Sequence, residues 1–106
     1  MSQKNEFDDI LLNLTVTEER ILLECGKMNI SVKKNVSEET IKKKLPNDLL
    51  IDFNKSLKNL LSKGLLVKYR PHNYGLSKKG RIISKKIKQR NNEQLYSNLR
   101  ILVWID

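Results

Sequence analysis

Between residues 49 and 77 the apolar period of the chain switches from that of a helix to that of a strand, and this switch restricts the fold more than any other feature. Leu49, Leu50, Phe53, Leu57, Leu60 and Leu61 recur at three- and four-residue intervals. At 100° per residue they form one broad stripe on a helix running to residue 63, wide enough to anchor it in a core. Gly64 then closes the helix, because glycine accepts the left-handed backbone found at many helix ends. Leu65–Arg70, the polar turn Pro71–Asn73 and Tyr74–Ser77 follow as strand, turn and strand, the pattern of a β-hairpin.

The flanking segments read mainly as helices. Residues 1–6 have the composition of a disordered start, and Phe7, Ile10, Leu11 and Leu14 predict a short amphipathic helix over 7–14. Thr17 is the expected N-cap of a second helix, with Glu18 and Glu19 in a first turn whose dipole favours anions. Ile21, Leu22 and Cys25 would face inward and Gly26 would end it. In 29–36, Ile30, Val32 and Val36 suit a short strand or an extended link. Ser37 caps a third helix with Ile41 and Leu45 inward, and Pro46 stops it because proline cannot continue the hydrogen-bond ladder. The turn Pro46–Asp48 leads into the fourth helix. Ser77 caps a fifth helix, 78–90, with Ile82, Ile83 and Ile87 inward. Beyond it, Leu95, Leu99 and Leu102 fit a helix, whereas Leu99, Ile101, Val103 and Ile105 alternate as a strand would; helix is preferred.

A length of 106 residues, with 39% hydrophobic side chains and no repeat or low-complexity linker, points to one domain over residues 1–106. No apolar run is long enough to span a membrane, and the polar start MSQKNEFDD lacks the core of a signal peptide. A single cysteine can form neither an internal disulfide nor a Cys-rich zinc site, so Cys25 is expected in the core rather than as a redox switch. A cytoplasmic protein without membrane contact is expected. The charge is unevenly spread. Residues 1–30 hold three Lys/Arg against six Asp/Glu, residues 31–90 seventeen against four, and residues 91–106 one against two. Concentration over the central stretch suits a polyanion-binding surface better than a uniformly solvated one.

The pieces LTVTEERILLE, VSEETIKKKL, FNKSLKNLLSKGLL and YGLSKKG, in that order, resemble the winged helix-turn-helix DNA-binding superfamily, in the manner of small prokaryotic, including archaeal, transcription regulators. The resemblance covers residues 15–90 and rests on order and spacing, since no single piece is specific. It implies a mainly α fold with a small β-hairpin, a helix pair whose second member enters the major groove, and a wing lying on the backbone or in the minor groove. The N-terminal helix 7–14 and the segment 91–106, with Tyr96 and Trp104, would be extra elements available for a homodimer.

The residues agree with that implication. On the fourth helix the stripe leaves Lys55, Lys58, Asn59 and Ser62 opposite the core, with Asn54 and Ser56 on the flanks. Lysine donates to guanine or phosphate, and asparagine pairs with adenine. Asp48 and Asp52 at the leading end would repel phosphates unless they cap the helix or accept from a cytosine amino group. In the hairpin, Lys68, Arg70, His72 and Asn73 would meet the duplex, Arg70 being the best suited to a narrow minor groove. Lys78 and Lys79 would extend the contact along the fifth helix, whose basic face reads either as a solvated lysine-rich surface or as a phosphate-contacting rail beside the wing. The expected partner is double-stranded DNA, bound sequence-specifically by a transcription regulator. A protein-interaction or RNA-binding module of a transcription or replication assembly is the alternative. No Ser/His/Asp set, metal-ligand spacing or Gly-rich phosphate loop is present, so no enzyme, cofactor or metal site is expected.

Overall fold

The spacing of Phe7, Ile10 and Leu11 does mark a helix, α1, but it runs Gln3–Leu12, starting within the segment whose composition suggested disorder. A computed structural model describes the backbone of residues 3–105 and the side chains of residues 6–94. Phe7, Ile10 and Leu11 pack against the core, and α1 lies on the last helix of the chain.

Helix α2 spans Val16–Lys27, and its N-cap is Thr15 rather than Thr17. The Thr15 hydroxyl accepts from the Glu18 amide at 3.2 Å, and the Glu18 carboxylate accepts from the Thr15 amide at 3.1 Å. This reciprocal pair is the capping box that a T-x-x-E sequence permits. Thr17, the second residue of the helix, is buried and donates its hydroxyl to Asp52 at 3.0 Å.

Gly26 does not end the helix either. Asn29 does, at φ 58°. The Asn29 amide donates to Gly26 O and the Ile30 amide to Cys25 O, the paired bonds of a Schellman end. Proximity favours glycine at 26 instead: a Cβ there would lie 2.0 Å from Ser84 Oγ, which would have to rotate away.

After a turn closed by the Ser31 amide on Lys34 O, only Val36–Ser37 forms a strand, β1. Of the alternating residues Ile30 and Val36 are buried while Val32 is exposed, because the intervening turn breaks the period. Ser37 caps α3, Glu38–Lys43, and Ile41 and Leu45 are buried. The expected fourth helix is divided. Asn47–Leu50 form a 3-10 turn, and α4 proper runs Phe53–Ser62. Leu49 and Leu50 are therefore only half-buried.

Gly64, at φ 73°, ends α4, with the Leu65 amide on Leu60 O and the Gly64 amide on Leu61 O. Strands β2, Leu66–Arg70, and β3, Asn73–Leu76, form the hairpin, but β1 joins it to give a three-stranded antiparallel sheet in the order β1-β3-β2. Val36 pairs with Tyr74, and Lys68 with Tyr74 on the other side, while a bulge separates Lys68 from Arg70.

Ser77 caps α5, accepting from the Gly80 amide at 2.9 Å. α5 is one continuous helix, Lys78–Ile105, so the strand alternative for the tail does not hold. Ile83 and Ile87 are buried as expected, but Ile82 is 39% exposed. The inward place goes to Ser84, whose hydroxyl donates to Leu22 O at 2.9 Å. Five α-helices and the small sheet thus enclose one core, with α2 packed on both α4 and α5.

Candidate nucleic-acid interface

Helix α4 has one anchored face and one free one. Phe53, Ser56, Leu57 and Leu60 are buried, so Ser56 belongs to the core side rather than to a flank. Asn54, Lys55, Lys58 and Ser62 are exposed on the other side. Lys55 and Lys58 meet no carboxylate within 4 Å among the described residues. Asp52 is exposed at the N-cap position of α4, but its carboxylate makes no capping bond to the helix and accepts from the Thr17 hydroxyl instead.

Asn59 is the residue whose placement differs most from the sequence reading. It is half-buried, and its amide donates to Glu18 Oε2 at 2.9 Å. Glu18, 1% exposed, also accepts from Lys63 Nζ at 3.3 Å and from the Thr15 amide. Burial alone would raise the Glu18 pKa, but the bonds from Asn59, Thr15 and Lys63 outweigh it and hold the carboxyl below its ordinary 4.5. A depressed carboxylate stabilises the fold above its unfolded pKa, and that stabilisation is lost as pH falls through the folded value. Asn59→Ala is therefore expected to cost about 1–3 kcal/mol at pH 7 by leaving a buried acceptor under-satisfied. Urea titrations at pH 7 and pH 3 should show the deficit shrinking at the lower pH. An equal deficit at both would sever the link to Glu18.

In the hairpin, Lys68, Tyr69 and Arg70 are exposed, and the Arg70 guanidinium lies over the Tyr69 ring at 5.3 Å. Tyr69 sits at the bulge, which adds local twist and re-aims the side chains beside it. His72, at φ 67°, turns the tip. Its carbonyl accepts from the Glu38 amide at 2.8 Å, and its Nδ1 donates to the Glu38 carboxylate at 3.2 Å. Burial and then the Glu38 carboxylate push the Tyr74 phenol up. The tip is thereby tied to the first turn of α3, while the other end of α3 meets α4 through Lys42, 5.3 Å over the Phe53 ring. Asn73 is half-buried and donates to Asn35 at 2.9 Å, so its amide is engaged within the protein.

Lys78 and Lys79 begin α5 at the base of the hairpin, separated from its tip by the four residues of β3, about 13 Å of extended chain. Lys79 pairs with Glu6 of α1 at 3.6 Å, and Lys78 remains exposed. Three of the paired cations knit helices together, Lys63 to Glu18, Arg90 to Glu19 at 2.6 Å and Lys79 to Glu6, while Arg20, Lys27 and Lys42 pair within their own helices. Lys55 and Lys58 of the α4 face and Lys68 and Arg70 of the hairpin have none among the described residues. Tyr69 and the exposed Lys43 and Lys44 at the end of α3 were missed in the sequence, where nothing in their spacing sets them apart from other surface residues.

Among the described residues no cluster of three His, Cys, Asp or Glu could hold a metal, and no helix is long and apolar enough to cross a membrane. Cys25 is buried, its thiol pushed up to about 12 by burial and by Glu24, which makes it inert rather than nucleophilic. The chain matches no protein-family model, no curated protein and no solved structure.

Proposed function

We propose that the chain is a winged helix-turn-helix protein that binds duplex DNA as a transcription regulator. α3 and α4 form the helix pair and the β2–β3 hairpin the wing. The order α2, β1, α3, α4, β2, β3 with sheet order β1-β3-β2 supports the fold reading. The free face of α4 carries the functional one: Asn54, Lys55, Lys58 and Ser62 protrude from a helix whose opposite side is locked into the core. Such a helix can enter a major groove without unfolding anything. Asn54, rather than Asn59, is the base reader on this surface. Lys68 and Arg70 hold phosphates or a minor groove, with Tyr69 backing Arg70.

Dimerisation is part of the proposal. α5 has 28 residues, about 42 Å, more than twice the length of α2. Leu95, Leu99 and Leu102, whose side chains lie outside the described residues, recur at the spacing of a helix–helix seam.

Affinities for random duplex, single-stranded DNA and RNA of equal length, measured over a range of salt, test the reading. With roughly 4–8 phosphates neutralised, log K for duplex should fall against log[salt] with a slope of about −4 to −7. A slope shallower than about −2 would favour a protein-interaction module, and tighter binding to RNA would move the site to that partner.

A further inference from the structure

On the far side of α2 from α4, a notch lies between α2 and α5, beside Ile30 and Leu76. It arises where Gly26 meets Ser84: without a Cβ at 26 the helices touch there, and the space beside the crossing is left unfilled. Its volume is about 170 Å³. A cavity of about 150 Å³ is enough to hold a benzene ring. Leu23, Ile30 and Leu76 give it an apolar side, Asn29 and Ser84 add polar groups, and Lys27, Arg81, Lys85 and Lys88 line it with long stems that carry their charge to the rim.

The rim charge is not neutralised from within. Lys27 reaches Glu24 at 3.8 Å, but Glu24 is also engaged by Arg20 at 2.9 Å. Arg81, Lys85 and Lys88, one stripe of α5 at i, i+4 and i+7, have no carboxylate within 4 Å among the described residues. Among the described residues no acidic side chain lines the notch. The α2 C-terminus offers roughly half a negative charge, and its last carbonyls are already bonded through Met28, Asn29 and Ile30. Three cations around a ring-sized apolar recess call for a ligand with a small apolar body and a negative head.

We infer that the α2–α5 notch binds a small organic carboxylate, with a body of about one ring against Leu23 and the carboxylate held by Arg81 and Lys85. A duplex is a convex cylinder wider than the notch and would touch only the rim. A carboxylate-bearing ring fills the recess and places its charge among Arg81, Lys85 and Lys88. The inference does not depend on the DNA reading, because the notch and the α4 face lie on different flanks of α2.

Sodium benzoate is the probe, titrated into the full chain at constant ionic strength while amide resonances are followed. The Gly26 and Ser84 amides should shift, saturating at roughly 0.1–1 mM, the range open to a ligand of so few atoms. Benzamide, equal in shape but uncharged, should bind about tenfold more weakly or worse. Arg81→Gln/Lys85→Gln should weaken benzoate by at least about tenfold, because charge-assisted bonds are lost, while the spectrum of the variant shows the fold intact. Random duplex added at one equivalent should leave the benzoate shifts in place. Equal binding of benzamide, a variant that binds like the parent, absent shifts at Gly26 and Ser84, or displacement by duplex would each overturn the site.

Discussion

Gly80→Ala is expected to destabilise the fold by about 3 kcal/mol or more, lowering the melting temperature by roughly 12–20 °C for a domain of this size. A Cβ at residue 80 would stand 2.1 Å from the carbonyl oxygen of Leu65 and 2.8 Å from Leu76 Cδ1. That carbonyl cannot step aside cheaply. It accepts from the Ser77 amide at 3.1 Å and from the Ser77 hydroxyl at 3.0 Å, which in turn accepts from the Gly80 amide. Relief of the clash requires the first turn of α5 to leave the start of β2, and with it the cap that starts the helix. Gly26→Ala is the contrast. Its nearest obstacle is the hydroxyl of Ser84, the end of a short side chain that can rotate at the cost of one hydrogen bond to Leu22 O. Alanine also favours a helix interior over glycine by about 1 kcal/mol, offsetting part of the loss. Thermal unfolding of both variants by circular dichroism decides it. A Gly80→Ala protein within about 1 kcal/mol of the parent, or one more stable than Gly26→Ala, would refute the close α5–β2 approach.

The sequence pattern was legible wherever one local rule acted alone. Ser37 and Ser77 cap helices, Gly64 ends one, and the hairpin lies where expected, with its turn at Pro71–His72 and Asn73 already in the return strand. It misled where two residues could play the same part. Thr15 and Thr17 both suit an N-cap, and the tertiary bond of Thr17 to Asp52 is invisible in one dimension. Gly26 and Asn29 both suit a helix end, and only the approach of Ser84, 58 positions on, explains why glycine is favoured inside the helix. Periodicity alone also drew the fourth helix too long, because Leu49 and Leu50 keep the apolar phase through a 3-10 turn that breaks the backbone.

The same limitation shaped the reading of the candidate site. Angular spacing placed Asn59 beside Lys58 on an open face, yet it sits close enough to α2 for a buried glutamate to capture its amide. The exposed set that survives on α4 is smaller, and the acids beside it, Asp48 and Asp52, stay exposed at the leading end, with Asp52 bonded to Thr17. Asn73 and Lys79 are similarly drawn into internal contacts, whereas Lys55, Lys58, Lys68 and Arg70 remain free of carboxylates among the described residues.

Reversing the two lysines of α4, Lys55→Glu/Lys58→Glu, is expected to abolish most duplex binding while leaving the protein folded. Each phosphate contact removed flattens the salt slope by about 0.9, and at 0.1 M salt it weakens binding about eightfold. Two lost contacts therefore cost roughly 60-fold, and two new negative charges facing the backbone should carry the loss to several hundredfold. Both side chains are exposed and neither pairs with a carboxylate among the described residues, so stability should change by no more than about 0.5 kcal/mol. Arg81→Glu/Lys85→Glu is the matched control, reversing two positive charges on the opposite flank of α2. It should weaken duplex binding by less than about threefold, through the general field alone. If both variants lose affinity alike, the protein binds DNA through diffuse charge and α4 is not its reading surface. If the α4 variant binds like the parent while the control does not, the interface lies on α5. Only a large loss confined to the α4 variant, with the salt slope shallower by about 2, sustains groove insertion by this helix. Asn54→Ala on a selected site should then cost about 1–3 kcal/mol and almost nothing on scrambled sequence, since an uncharged side chain adds little to the sequence-independent affinity.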